Sequence, residues 1–115
     1  MIRKIVFYGD YFIDFYSKLD VKVQNKVEYI FKLIRQVDRT PSKFFKHLTT
    51  TNNLYEIRID YQSNIYRVFC FFDEGKLVVL LNGFQKKTQK TPKNEIEKAE
   101  RLKKEYYKLK KDGKL

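Results

Sequence analysis

The chain of 115 residues has no tryptophan, one methionine, one cysteine and one histidine, and only two prolines and four glycines. Each shortage removes a class of protein. A lone cysteine, Cys70, cannot close an internal disulfide, and its place in the apolar run Val68 to Phe72 marks a buried core thiol in a reducing cytoplasm. One histidine and one cysteine do not make a zinc site, and no Ser/His/Asp or Cys/His grouping stands out, so no metal or other cofactor is expected. Four scattered glycines do not supply a phosphate-binding or dinucleotide loop. The longest uncharged runs, such as Leu77 to Gln85, are nine residues, whereas a membrane helix needs ~20. Asp10 and Asp14 interrupt the only candidate stretch for a secretory signal. No repeat and no Pro/Gly/Ser-rich linker divides the chain, so residues 1–115 are expected to form one domain with a cytoplasmic location.

What the sequence does have is aromatic and basic. Hydrophobic residues make up 43% and aromatic residues 17%, which excludes wholesale disorder. The formal charge is +11, and 13 of the 25 basic residues but only 5 of the 14 acidic ones follow Gly75. The run Lys86-Lys87-Thr88-Gln89-Lys90-Thr91-Pro92-Lys93 holds four lysines and no carboxylate. Such a cluster rewards a polyanion, chiefly nucleic acid, because every phosphate it neutralises releases counterions. An anionic membrane surface would instead call for apolar residues interleaved on an amphipathic helix, so no membrane partner is expected.

Periodicity organises the rest. Arg3 to Tyr8 reads as a short strand ended by Gly9. Asp10 is placed to cap a short helix carrying Phe12, Phe15, Tyr16 and Leu19. Asp20 caps the next helix, in which Val23, Val27, Ile30, Phe31, Ile34 and Val37 recur at helical spacing, and the two helices form a hairpin. Pro41 ends that pattern, and Ser42 to Leu48 is expected to add one further turn. The period then becomes 2: Leu54 to Asp60 puts Tyr55, Ile57 and Ile59 on one face. Residues 61 to 64 turn the chain into a second strand, Ile65 to Phe72. Asp73 to Lys76 is a hairpin loop and Leu77 to Leu81 a third, buried strand, followed by a bulge at Asn82-Gly83. Thr91 as cap and Pro92 as first residue open a last helix to about residue 111, with Ile96, Ala99, Leu102, Tyr106 and Leu109 as its apolar stripe. The order predicts an α+β fold, with an N-terminal helical hairpin and a C-terminal helix packed on one face of a small, mainly antiparallel sheet.

The candidate chemistry lies on the strands. Arg58 has the parity of Glu56 and Asp60, and Arg67 begins the neighbouring strand. A hairpin at 61 to 64 brings the arginines close, since paired strands run ~5 Å apart, although parity alone does not reveal their register. A guanidinium binds phosphate through two hydrogen bonds and keeps its charge. His47, the only histidine, is on paper a general base, but it has no partner at metal-ligand spacing and reads as structural or peripheral. Tyr61 and Tyr66 are of the type that stacks on unpaired bases. Metal-free phosphoryl chemistry, with Arg and Lys stabilising developing charge, fits this inventory.

The segments Leu54-Tyr55-Glu56-Ile57-Arg58, Asn64-Ile65-Tyr66-Arg67, Leu80-Leu81-Asn82-Gly83-Phe84 and Lys86 to Pro92, with Glu95-Ile96 and Ala99, closely resemble the RelE/ParE toxin superfamily. Within it they are most similar to the HigB-like, phage-related branch of type II toxin–antitoxin toxins, over roughly residues 43 to 103. The resemblance implies ribosome-dependent cleavage of mRNA without a metal, the RNA 2′-hydroxyl attacking the adjacent phosphate, held in check by a cognate antitoxin, often of helix-turn-helix type. It implies that Arg58 and Arg67 face the scissile phosphate and that Lys87 adds a further charge. Glu56 is either a general base or no catalyst. Lys86, Lys90, Lys93, Tyr61, Tyr66 and His47 are the remaining candidate RNA contacts. A catalytic tyrosine at the chain end, present in some members, has no match here. Two alternatives remain open: a DNA gyrase inhibitor of the ParE kind, and a non-catalytic basic RNA-binding module.

Overall fold

The computed structural model describes residues 2–115. Eight elements follow in the order β1 (Lys4–Phe7), α1 (Tyr11–Ser17), α2 (Val21–Gln36), β2 (Phe45–Leu48), β3 (Leu54–Tyr61), β4 (Asn64–Asp73), β5 (Leu77–Lys86) and α3 (Lys93–Lys111). The five strands form one sheet in the order β1-β5-β4-β3-β2, in which only the β1–β5 pairing is parallel. The expected α+β class is therefore met by three helices on a mixed sheet.

Gly9, at φ 64°, turns the chain out of β1 in a conformation that costs a residue with a Cβ. Asp10 and Asp20 occupy the two N-cap positions, but neither side chain makes a capping hydrogen bond. The C-terminus of α2 is better served: the Arg3 guanidinium donates to the carbonyls of Ile34, Val37 and Asp38 at 2.9, 2.8 and 2.6 Å. A cation there satisfies orphan carbonyls and meets the negative end of the helix dipole.

Three expectations are corrected. Residues 45–48 are an edge strand, not a helical turn; Lys46 pairs with Glu56 and His47 with Tyr55, so hydrogen bonding to β3 decides their state. The last helix starts one residue later than expected, with Pro92 rather than Thr91 at the cap position. Most important, the helices cover both faces of the sheet. Phe12, Val27, Ile30, Phe31 and Ile34 of α1 and α2 pack with Ile57, Ile59, Val68, Cys70, Val78 and Leu80. Ala99, Leu102 and Tyr106 of α3 pack on the opposite face with Leu54, Phe69, Phe71, Val79, Leu81 and Phe84. Strands buried on both faces read as continuous apolar runs, which is why β4 and β5 lose their alternation.

The expected bulge is present, since between Val68 and Cys70 the register on β5 advances from Gly83 to Leu80. It lets Asn82 turn towards α3, where its Nδ2 donates to the Glu95 carbonyl and to Glu95 Oε1 at 3.2 and 3.0 Å. Gly83 faces α1, and a Cβ there would come within 2.5 Å of the Phe15 ring.

Candidate nucleic-acid interface

A two-residue turn at Gln62-Ser63, with Gln62 at φ 54°, closes the β3–β4 hairpin and sets its register. Arg58 consequently stands directly opposite Arg67, and Arg67 in turn opposite Phe84 of β5. Side chains two residues apart on a strand share a face, at a rise of about 7 Å. One rung back on this face lie Lys46 and Glu56; one rung forward lie Asp60, Ile65 and Lys86. This is the α3 face of the sheet.

Two like charges facing each other across a strand pair would repel, and two carboxylates keep them in place. Glu56 Oε2 lies 3.4 Å from Arg58 Nε and Glu56 Oε1 3.8 Å from Arg67 Nε, while Asp60 Oδ1 accepts a hydrogen bond from Arg67 Nη1 at 2.8 Å. Arg67 Nη1 also donates to the Tyr66 carbonyl at 2.9 Å. The side chains differ in access: Arg67 is 3% and Glu56 8% exposed, against 30% for Arg58 and 61% for Asp60. Despite the ion pairing, Glu56 Oε1, Arg58 Nε and Arg67 Nε are buried without a hydrogen-bond partner among the described residues. A buried polar atom without a hydrogen bond costs free energy, so the contacts of Glu56 with the two Nε groups are ion pairs held by charge rather than by hydrogen-bond geometry.

Beyond the arginines a groove of about 480 Å³ opens between the β3–β4 turn and the lysine-rich loop, lined by Ser63, Asn64, Ile65 and residues 85–89. Lys86 is half-buried at its wall, and Lys87, Lys90 and Lys93 are exposed on the loop and the first residue of α3. The structure thus brings Glu56, Arg58, Arg67 and Lys86 to one face, with the other lysines leading away from it. It does not bring the aromatic candidates there. Tyr61 and Tyr66 belong to the α1/α2 face, where Tyr66 meets Phe15 edge-on at 6.3 Å. His47 lies on edge strand β2 with the parity of Phe45, its ring 4.9 Å from that of Tyr55, also on that face. The residue that sequence reasoning missed is Lys46, opposite Glu56; recognising β2 as a strand is the only signal that would have found it.

Other nucleophiles are unsuited to catalysis. Burial, with the Glu56 carboxylate adding to it, pushes the Cys70 thiol well above its ordinary range, so it carries no thiolate. No group of three or more His, Cys, Asp or Glu side chains gathers to hold a metal among the described residues, and no described helix is long and apolar enough to cross a membrane.

At its far end α3 is latched to the β4–β5 hairpin by Asp73, which accepts from Tyr106 at 2.6 Å and from Lys110 Nζ at 2.8 Å. Burial alone would raise the Asp73 carboxyl, but these hydrogen bonds hold it below the ordinary carboxylate value. Burial and the Asp73 partner push the Tyr106 hydroxyl up to about 12.

No curated protein matches the chain significantly. A family model does: that of the phage-derived proteins like Gp49 (DUF891) matches residues 14–104, from α1 into α3, and so takes in both arginines, both carboxylates and the lysine loop. The chain belongs to the phage-derived Gp49-like family, part of the RelE/ParE-like toxin superfamily.

Proposed function

We propose that this protein is the toxin of a type II toxin–antitoxin module, of the HigB-like kind, and that it is a metal-independent endoribonuclease acting on mRNA held by the ribosome. The observation that carries the reading is the Arg58–Arg67 rung, two guanidiniums facing each other across β3 and β4 beside a lysine-lined groove. In the reaction the 2′-hydroxyl gives up its proton to solvent as its oxygen attacks the adjacent phosphorus in line, and the P–O5′ bond breaks as O5′ takes up a proton from solvent, leaving a 2′,3′-cyclic phosphate and a 5′-hydroxyl. Negative charge accumulates on the non-bridging oxygens, where fixed guanidiniums stabilise it without reorganising. Arg58, the more exposed of the pair, meets the phosphate first and Arg67 supports it from below. Lys87, with Lys86, Lys90 and Lys93, holds the flanking phosphates, and Lys46 extends the positive surface on the other side.

Burial of Glu56 between the guanidiniums suits a fixed counter-ion that positions them better than a base exchanging protons with solvent. The ribosome supplies the orientation of the substrate, which contributes several kcal/mol in reactions of this type. A cognate antitoxin and an mRNA-loaded ribosome are the partners the reading requires, in the cytoplasm.

Primer extension on mRNA in translating extracts tests it. Wild-type protein is expected to give discrete cuts with 5′-hydroxyl ends, and Arg58→Ala to reduce them by about 10²-fold or more, the cost of removing one preorganised charge donor. Intact mRNA in growth-arrested cells would end the ribonuclease reading, and an accompanying SOS response would favour gyrase as the target.

A further inference from the structure

The two carboxylates in the arginine cluster are not equivalent. Glu56 lies one rung back on the same face, almost wholly buried, within 4 Å of both guanidiniums. Asp60 lies on the solvent side, 61% exposed, and touches only Arg67, through one hydrogen bond of 2.8 Å. Arg67 itself is 3% exposed, and the side-chain acceptor on its Nη1 is Asp60. Asp60 also shares its rung with Ile65 and Lys86, both of which line the groove.

We propose that the Asp60 carboxylate occupies the seat of a phosphate oxygen on Arg67, and that anion binding proceeds by exchange: Asp60 swings out to water as the phosphate takes its hydrogen bond. This deepens the ribonuclease reading and rests on it for the identity of the anion as an RNA phosphodiester. The physical basis is an asymmetry of cost. An exposed ion pair is weak because water competes for both partners, so Asp60 is released easily. A buried counter-ion such as Glu56 is not, because its removal would strand an uncompensated charge. A phosphate offers what the single carboxylate contact does not, namely several acceptor oxygens, so that one group can take the Arg67 Nη1 hydrogen bond and also meet the partly exposed Arg58 guanidinium. With Asp60 in place the four charges of the cluster cancel. With Asp60 displaced the cluster carries one net positive charge, matched to a phosphodiester. Asp60 is thus a positioning and gating residue that occupies Arg67 until a phosphate arrives.

The test follows the Nε–H resonances of Arg58 and Arg67 by NMR while inorganic phosphate is added to the full chain. Asp60→Asn is expected to reach half-saturation at about threefold to tenfold lower phosphate than wild type, as loss of a competing charged acceptor implies. Glu28→Gln, the same change of charge on α2 at the opposite face, is expected to match wild type and so corrects for net charge. The proposal is overturned if Asp60→Asn is indistinguishable from wild type, if it matches a comparable gain in Glu28→Gln, or if no resonance moves in any of the three. Failure of the enzymatic reading looks different. Tighter phosphate binding by Asp60→Asn in proteins that never cut ribosome-bound mRNA keeps the seat and discards the ribonuclease. Cutting by wild type without that gain discards the seat alone.

Discussion

The two faces of the sheet are built from the same strands and used in opposite ways. The face under α1 and α2 is apolar along the whole hairpin, from Cys70 and Val68 through Ile57 and Ile59 to the rings of Tyr61 and Tyr66. The face under α3 is apolar through Leu54 and Phe71; Glu56 then shares the rung of Phe69, Arg58 and Arg67 that of Phe84, and Asp60 stands one rung further on. The first face closes a core, and the second closes half of one. Ionic groups are packed into the remainder at a cost that hydrophobic residues of the same size would avoid. Stability alone gives no reason for such an arrangement, which is why the proposed anion site is placed there.

The sharpest way to break this contrast is to treat the charged half as core. Arg67→Met replaces a buried guanidinium with an apolar chain of similar length and leaves Glu56 without its deeper partner. A loss of about 3–5 kcal/mol is expected in urea unfolding. The double variant Glu56→Leu/Arg67→Met should recover most of that loss, and failure to recover it would mean that the cluster supports the fold rather than burdening it. On the opposite face Leu80→Ala should cost about 2–5 kcal/mol, with no partner substitution able to restore it, because the deficit is a cavity. Gly83→Ala drives a methyl into the Phe15 ring and is expected to lose about 1–3 kcal/mol by overpacking, measured in the same way.

The smallest effect concerns the latch of α3. Tyr106→Phe removes the 2.6 Å hydrogen bond to Asp73 and should cost about 1 kcal/mol. Because the Asp73 carboxyl lies below its ordinary value of 3.8, the stability it contributes is present above that value. It is lost as pH falls through the lower, folded value, where the native state must take up the proton. Thermal melts of wild type should therefore fall more steeply below about pH 4 than those of Asp73→Asn; parallel profiles would show that the latch is not ionic.

Much of this architecture was legible one residue at a time. Helical spacing in Val23 to Ile34 and in Ile96 to Leu109 is a property of local sequence, as is the alternation of Leu54 to Asp60, and each led to the right element. The edge strand β2 was not legible, because Phe45-Lys46-His47-Leu48 has no periodicity of its own and becomes a strand only by pairing with β3. Lys46 was lost with it. Tyr61 and Tyr66 have the right chemistry for stacking on bases, yet strand parity sends them to the other face. Their type was visible, and the direction in which they point was not.

Residue types, their order and the excess of basic charge were settled by the sequence, because propensity, periodicity and net charge are local or additive quantities. Tertiary structure alone decided that α3 takes the face opposite α1 and α2, and that Arg58 meets Arg67 on one rung with a buried carboxylate on the rung before and an exposed one on the rung after. Register is the reason. With a side-chain period of two, one residue more or less in the Gln62-Ser63 turn would send one arginine to the other side of the sheet, and nothing in the composition of either strand would change.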